Sequence, residues 1–177
     1  MANHRSFGGT SLSYRGRRLA VLIGESGTGR AVRRLAIKRV VKTVFDSILR
    51  TSEEALVYRM CTSVNVYFCE DEEMRALNKS WRNKDKATDV LSFSMMEGEL
   101  RGSSLGDIVI SLPTAERQHA KFGTTYPEEV IRLLVHGMHH LCGFDHEHVS
   151  RREAQRMRES EERVFKEVKR YARTIFR

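Results

Sequence analysis

Residues 136–148 read "HGMHHLCGFDHEH" and hold five of the chain's seven histidines. Two of them, His136 and His140, are four apart, so on a helix both imidazoles leave the same face and can reach one ion. Gly143 follows three residues after His140, where a helix is often ended by a residue in the left-handed conformation that costs glycine nothing. The chain can then turn back and deliver His146. The spacing HxxxHxxGxxH thus predicts a helix, a turn and three nitrogen ligands, with a fourth tetrahedral position left for water. Three neutral ligands leave the cation's charge uncompensated, which favours a water of lowered pKa and a catalytic rather than structural site.

The other residues of the stretch are read separately. His139 lies about 100° around the helix from His140 and is expected to be packed or at the surface. His148 is expected to be exposed or peripheral. Asp145 could orient a ligand or cap the turn. Cys142 has a ligand's chemistry but sits off the His136/His140 face. A histidine-rich surface helix or a pH-sensitive cluster is the alternative reading, and the combined spacing argues against both.

Working outward, Pro127, Glu128 and Glu129 open the helix that runs into this cluster. Pro113 starts a shorter helix to about residue 121, ended by "KFGTT". Strands are expected at "SVNVYF" (63–68), where apolar and polar residues alternate, at "DVLSFSM" (89–95) and at "GDIVIS" (106–111). "EDEEMRALNKSWR" is acidic in its first turn, as a helix start prefers. Val32, Leu35, Ala36, Val40, Val44, Phe45 and Ile48 recur at helical spacing among basic residues, giving an amphipathic helix over about 31–50. A last helix over about 150–176 carries Met157, Val164, Val168, Tyr171 and Ile175 on one stripe. "GESGTGR" (24–30) lacks the ending of a phosphate-binding loop and reads as a turn. Helices and strands mix without strict βαβ alternation, which predicts an α+β fold with helices packed on one small mixed sheet and the metal site on a central helix and the turn after it.

At 177 residues with 40% hydrophobics the chain fits a single core. We expect residues 1–30 to form a basic N-terminal extension with a possible first strand, and residues 31–177 a single domain. No apolar run approaches the roughly 20 residues that span a bilayer, so no membrane partner is expected. Three cysteines without CxxC spacing suit a reducing compartment. A cytoplasmic location is the expectation, although an Arg- and Ser-containing start with no acid before Glu25 could also be an organellar transit peptide. Residues 1–50 carry 11 Lys+Arg against 2 Asp+Glu, and the remainder 20 against 21. That N-terminal excess either attracts a polyanion such as nucleic acid or forms a solvated helix face and tail.

"HGMHHLCGFDH" resembles the HGxLHLxGxDH signature of the YbeY family of metal-dependent endoribonucleases. "LNKSWRNKDKATDVLSF" and "LGDIVIS" are similar to that family's other two signatures, in the same order. The resemblance covers about residues 57–150. The chain departs from the pattern at Ser94, where proline is common, and at His139, where leucine is. Neither removes a ligand, although a second imidazole beside the site could perturb metal affinity or pH dependence.

Metzincin-type peptidases share the histidine spacing but need a glutamate after the first histidine, and here that position is Gly137. Phosphodiester cleavage instead needs cations for the phosphoryl oxygens. Arg82, in "WRNKDK" with Lys84 and Lys86, suits bidentate contact with phosphate, or else is an exposed loop arginine. The resemblance implies that Arg82 is the key active-site residue besides the ligands. It also implies single-strand-specific RNA cleavage, maturation of ribosomal RNA including the small-subunit 3′ end, ribosome quality control, and partnership with the ribosome or small subunit and its proteins. The expected ion is zinc, one per chain at His136, His140 and His146, with nickel or copper able to occupy the same ligands in purified material. A non-catalytic, metal-containing ribosome assembly factor and a metal-dependent hydrolase of small substrates are the competing classes. Asp89, Ser92 and Asp107 lie in the resembling motifs, with structural roles as their default.

Overall fold

Val64, Val66 and Phe68 point to one side of a strand and Tyr67 and Cys69 to the other, and both sides are covered. This strand, β2 (Ser63–Cys69), is central in a computed structural model that describes residues 19–27, 31–52, 54–96, 103–146 and 149–177. It pairs in parallel with β1 (Ala20–Glu25) and with β4 (Ser104–Ser111), while β3 (Val90–Ser94) runs antiparallel along β4. The order β1-β2-β4-β3 gives a mixed four-stranded sheet with β3 at one edge.

One sheet face carries the main core. α1 (Arg34–Thr51), α4 (Tyr126–Leu141) and α5 (Arg151–Val168) bring their apolar residues to Val64, Val66, Phe68, Ile108 and Ile110 there. The other face is closed by α2 (Asp71–Arg82), whose Met74 and Leu77 meet Leu91, Val109 and Phe93. α4 is the central helix: Val130, Ile131, Leu133, Leu134, Val135, Met138 and Leu141 are all buried. It starts with Thr125 and Glu128 in a capping box and Pro127 in its first turn, which satisfies backbone donors that a helix start leaves unpaired. The α+β expectation holds.

Two elements differ from their sequence reading. Leu35 does not belong to the buried stripe of α1, being 80% exposed. The stripe runs through Ile37, Val40, Val41, Val44 and Ile48, and Leu35 precedes Ile37 by two residues, about 200° around the helix. The last helix ends at Val168, and Lys169–Thr174 continue as a 3-10 helix, so that Ala172 and Ile175 still reach the core. A second 3-10 helix, Glu54–Met60, has no counterpart in the sequence reading. α3 (Leu112–Gln118) and a 3-10 turn, His119–Phe122, fill the span predicted from Pro113. Of "GESGTGR", Gly24 and Glu25 end β1, Ser26 and Gly27 turn away, and residues 28–30 lie outside the described residues, as does most of the 1–30 extension.

Candidate active site

His136 and His140 lie one turn apart on the last part of α4, and His146 arrives from the segment after it. The helix closes through backbone bonds from Cys142, Gly143 and Phe144 back to its last carbonyls. Gly143 has φ 80°, and a Cβ there would lie 2.4 Å from the Tyr58 hydroxyl. Glycine alone meets both demands, so the turn that returns His146 depends on it.

One ligand nitrogen from each of the three imidazoles falls within 4.8 Å of the others. His136 and His140 bring their Nε2 atoms to 3.2 Å. Two nitrogens bound tetrahedrally at about 2.0–2.1 Å would themselves be about 3.3 Å apart, so the pair is already spaced for one cation. His136 Nδ1 lies 2.7 Å from Glu161 Oε1 on α5, which fixes the proton on Nδ1 and leaves Nε2 as the lone-pair donor. The surroundings of His140 discourage its protonation. Burial first, and then the neighbouring His136 and His146, push His140 down to about 4. Burial opposes the charge on Glu161, but its bond to His136 and the nearby imidazoles prevail and hold the carboxyl below its ordinary value. The donor set therefore fits a divalent cation of borderline softness.

The other residues of the histidine stretch turn elsewhere. His139 is fully buried, with Nδ1 on the Val135 carbonyl at 2.8 Å and Nε2 at 2.9 Å from Ser160 Oγ. It ties α4 to α5 and is packed, one of the two outcomes expected. Cys142 is buried and its thiol is pushed far up by that burial, so it is no thiolate ligand. Asp145 Oδ1 accepts from the His146 amide at 2.7 Å and stands 4.0 Å from His140 Nδ1, combining the turn-capping and ligand-facing positions. His148 lies outside the described residues. Gly137 packs on the sheet, where a Cβ would meet Ile108 at 2.9 Å. A glutamate has no room at that position.

The histidines line an open cleft of about 540 Å³ together with Arg82, Asp89, Ser92, Phe122 and Arg132. Edge strand β3 supplies Val90, Ser92 and Ser94 to its wall. Arg82 ends α2, just before Asn83 in the left-handed conformation (φ 54°), and is exposed. Lys84 and Lys86 follow in the connecting loop, while Lys79 and Arg75 are engaged by Asp85. Among the described residues no acidic side chain pairs with Arg82, and its exposed side chain lines the cleft. None of the residues lining the cleft comes from the basic helix α1.

The groups that brace the site went largely unread in the sequence. Glu161 is 25 residues from His136 and carries no local signal. Arg132 sits one turn before His136, a spacing that was visible. Its Nε and Nη2 reach fully buried Glu129 at 2.8 and 2.6 Å. Glu129 also accepts from Gln118 and Thr124, and Gln118 bridges to Asp89 at 2.8 Å. Asp89 thus braces the cleft wall, with its other oxygen on the Val90 amide. Asp107 accepts from Asn65 at 2.5 Å across β2 and β4, a structural role.

Fold and site together define a cleft-bearing α+β domain with a three-histidine cluster of the kind that holds a metal ion. The family model for Endoribonuclease YbeY matches residues 28–169. The chain belongs to the endoribonuclease YbeY family and is on that ground an enzyme, an endoribonuclease. It is 35% identical over 153 residues to an endoribonuclease YbeY of Persephonella marina, covering 85% of this chain and 94% of that one. With the protein of the same name from Aquifex aeolicus it shares 43% over 149 residues, covering 82% and 93%. The solution structure of TM1509 from Thermotoga maritima superposes with a TM-score of 0.52 at 25% identity, over 84% of this chain and 89% of that one.

Proposed function

We propose that the chain is a single-strand-specific, zinc-dependent endoribonuclease that matures ribosomal RNA, including the small-subunit 3′ end, and serves ribosome quality control in the cytoplasm. The observation that carries the cleavage reading is that His136, His140, His146 and Arg82 line one cleft. The three imidazoles would hold the cation, which supplies Lewis acidity and electrostatic stabilisation there when bound. Glu161 keeps the proton on His136 Nδ1 and so keeps the ligand tautomer. Arg82 offers a planar, permanently charged donor fork to the phosphoryl oxygens as charge builds on them. The support for ribosomal RNA and ribosomal partners is the family resemblance together with the basic excess of residues 1–50. No helix among the described residues is long and apolar enough to cross a membrane.

The packing of Gly137 on Ile108 speaks against the peptidase reading, because the general base of that chemistry would have to grow from a position without space. The deciding experiment is cleavage of single-stranded and duplex RNA by metal-quantified wild-type and Arg82→Ala protein, with and without chelator. Cleavage should be chelator-sensitive and confined to single strands. The variant should lose about 10²–10³-fold in rate at unchanged metal content. Stoichiometric zinc with no cleavage would instead favour the non-catalytic assembly factor, and normal activity of Arg82→Ala would remove Arg82 from the mechanism.

A further inference from the structure

Phe122 ends the 3-10 turn His119–Phe122 and lines the cleft with the three histidines and Arg82. A lone exposed apolar side chain is ordinary on a protein surface. What sets this ring apart is what surrounds it. It is 52% exposed, and the Arg132 guanidinium lies over it with Cζ 4.1 Å from the ring centroid. Arg132 is itself fixed, since Nε and Nη2 both hold buried Glu129, which is braced in turn by Gln118 and Thr124. The cation that backs the ring is therefore held in place by Glu129, and a group positioned in advance removes part of the entropic cost of binding.

Phosphate oxygens have no use for a benzene ring, and the polar walls of this cleft give an apolar peptide side chain little cover. A flat, partly polar π-system fits both the ring and its surroundings. Every nucleobase has such a face, and loses access to it when stacked inside a duplex. We infer that Phe122, backed by Arg132, is a nucleobase subsite on which one unpaired base of the RNA stacks beside the histidine cluster. The inference rests on the endoribonuclease reading and gives it a physical source of strand selectivity: a paired base must leave its helix to reach the ring.

The test is a base-deletion cycle. Binding of a labelled 2′-O-methyl single-stranded oligonucleotide is measured by anisotropy, with single abasic positions scanned along it, against wild-type, Phe122→Ala, Phe122→Leu and Phe122→Tyr protein. Stacking of one base on an aromatic side chain changes affinity by roughly 5- to 150-fold. One abasic position should weaken wild-type binding within that range and cost Phe122→Ala nothing further, so that the two losses do not add. Phe122→Leu keeps apolar cover over Arg132 and should behave like Phe122→Ala, whereas Phe122→Tyr should bind like wild type. Thermal unfolding of each variant checks that the fold is kept. Additive losses at every position, or a Phe122→Leu variant that binds like wild type, would overturn the subsite while leaving the ribonuclease reading intact. Failure of the wild-type chain to bind or cleave RNA would remove that reading, and the subsite with it.

Discussion

His136 is held from behind by a carboxylate and from the front by two other imidazoles, so its role depends on a residue that is not a ligand. Glu161 Oε1 at 2.7 Å from Nδ1 decides which ring nitrogen carries the proton. It also makes the ring more basic toward a cation. Glu161→Ala should therefore lower zinc affinity by about 10–100-fold, and Glu161→Gln, which can still accept from Nδ1, by less. Competition with a chelating dye on folded protein measures both. Equal affinity of Glu161→Ala and wild type would show that the carboxylate does not orient the ligand. The same reasoning separates His139 from its neighbours. With Val135 and Ser160 engaging both its nitrogens, it holds α5 against α4 and has none left for a metal. The identity of one side chain in a run of histidines is settled by what its other nitrogen touches.

At the scale of elements, the junction of β4 with α3 is tied to the start of α2. Ser111 Oγ accepts from the Thr114 amide at 3.2 Å, capping α3, and donates to Asp71 Oδ1 at 2.5 Å. Thr114 Oγ1 also donates to Asp71, and Arg117 pairs with it at 2.6 Å. Partial burial opposes the charge on Asp71, but the bonds from Ser111, Thr114 and Arg117 outweigh it, so its carboxyl lies below the ordinary value. A carboxylate depressed on folding adds stability above its unfolded pKa of about 3.9, and that stability is lost as pH falls through the folded value. Asp71→Asn should cost about 1–2 kcal/mol near neutrality. The gap from wild type should close in acid, below about pH 4, as read from urea midpoints across pH; a gap independent of pH would mean that the charge contributes nothing. Elements of this kind were largely legible, because β2, α2 and α4 each carry a period, a cap or an acidic first turn. Leu35 was misplaced because one apolar residue can join a helical stripe on paper yet stand on the far side once Ile37 and Val41 set its centre. The break after Val168 was invisible because its 3-10 continuation buries the same residues as a longer α-helix would.

Over the whole molecule, legibility followed sequence distance. His136, His140 and His146 could be read because one helix face and one glycine turn unite them within eleven residues. Glu161 and Gln118 could not, because α5 and α3 meet α4 only in the folded chain. A cation held by the three-histidine cluster would span the end of α4, the segment that returns His146, and α5 through Glu161, and so would link three parts of the fold. A ligand that binds only the native state at about a hundred times its Kd stabilises it by about 2.7 kcal/mol. For a chain of this size that corresponds to roughly 5–10 °C in Tm. Calorimetry should therefore show Tm falling by about that amount on chelation and recovering with zinc. His146 is exposed, so His146→Ala removes the proposed third ligand without opening the core. That variant should melt like the chelated wild type and respond little to added zinc. If it recovers with zinc as fully as wild type, His146 is not a ligand and the site is built on α4 alone.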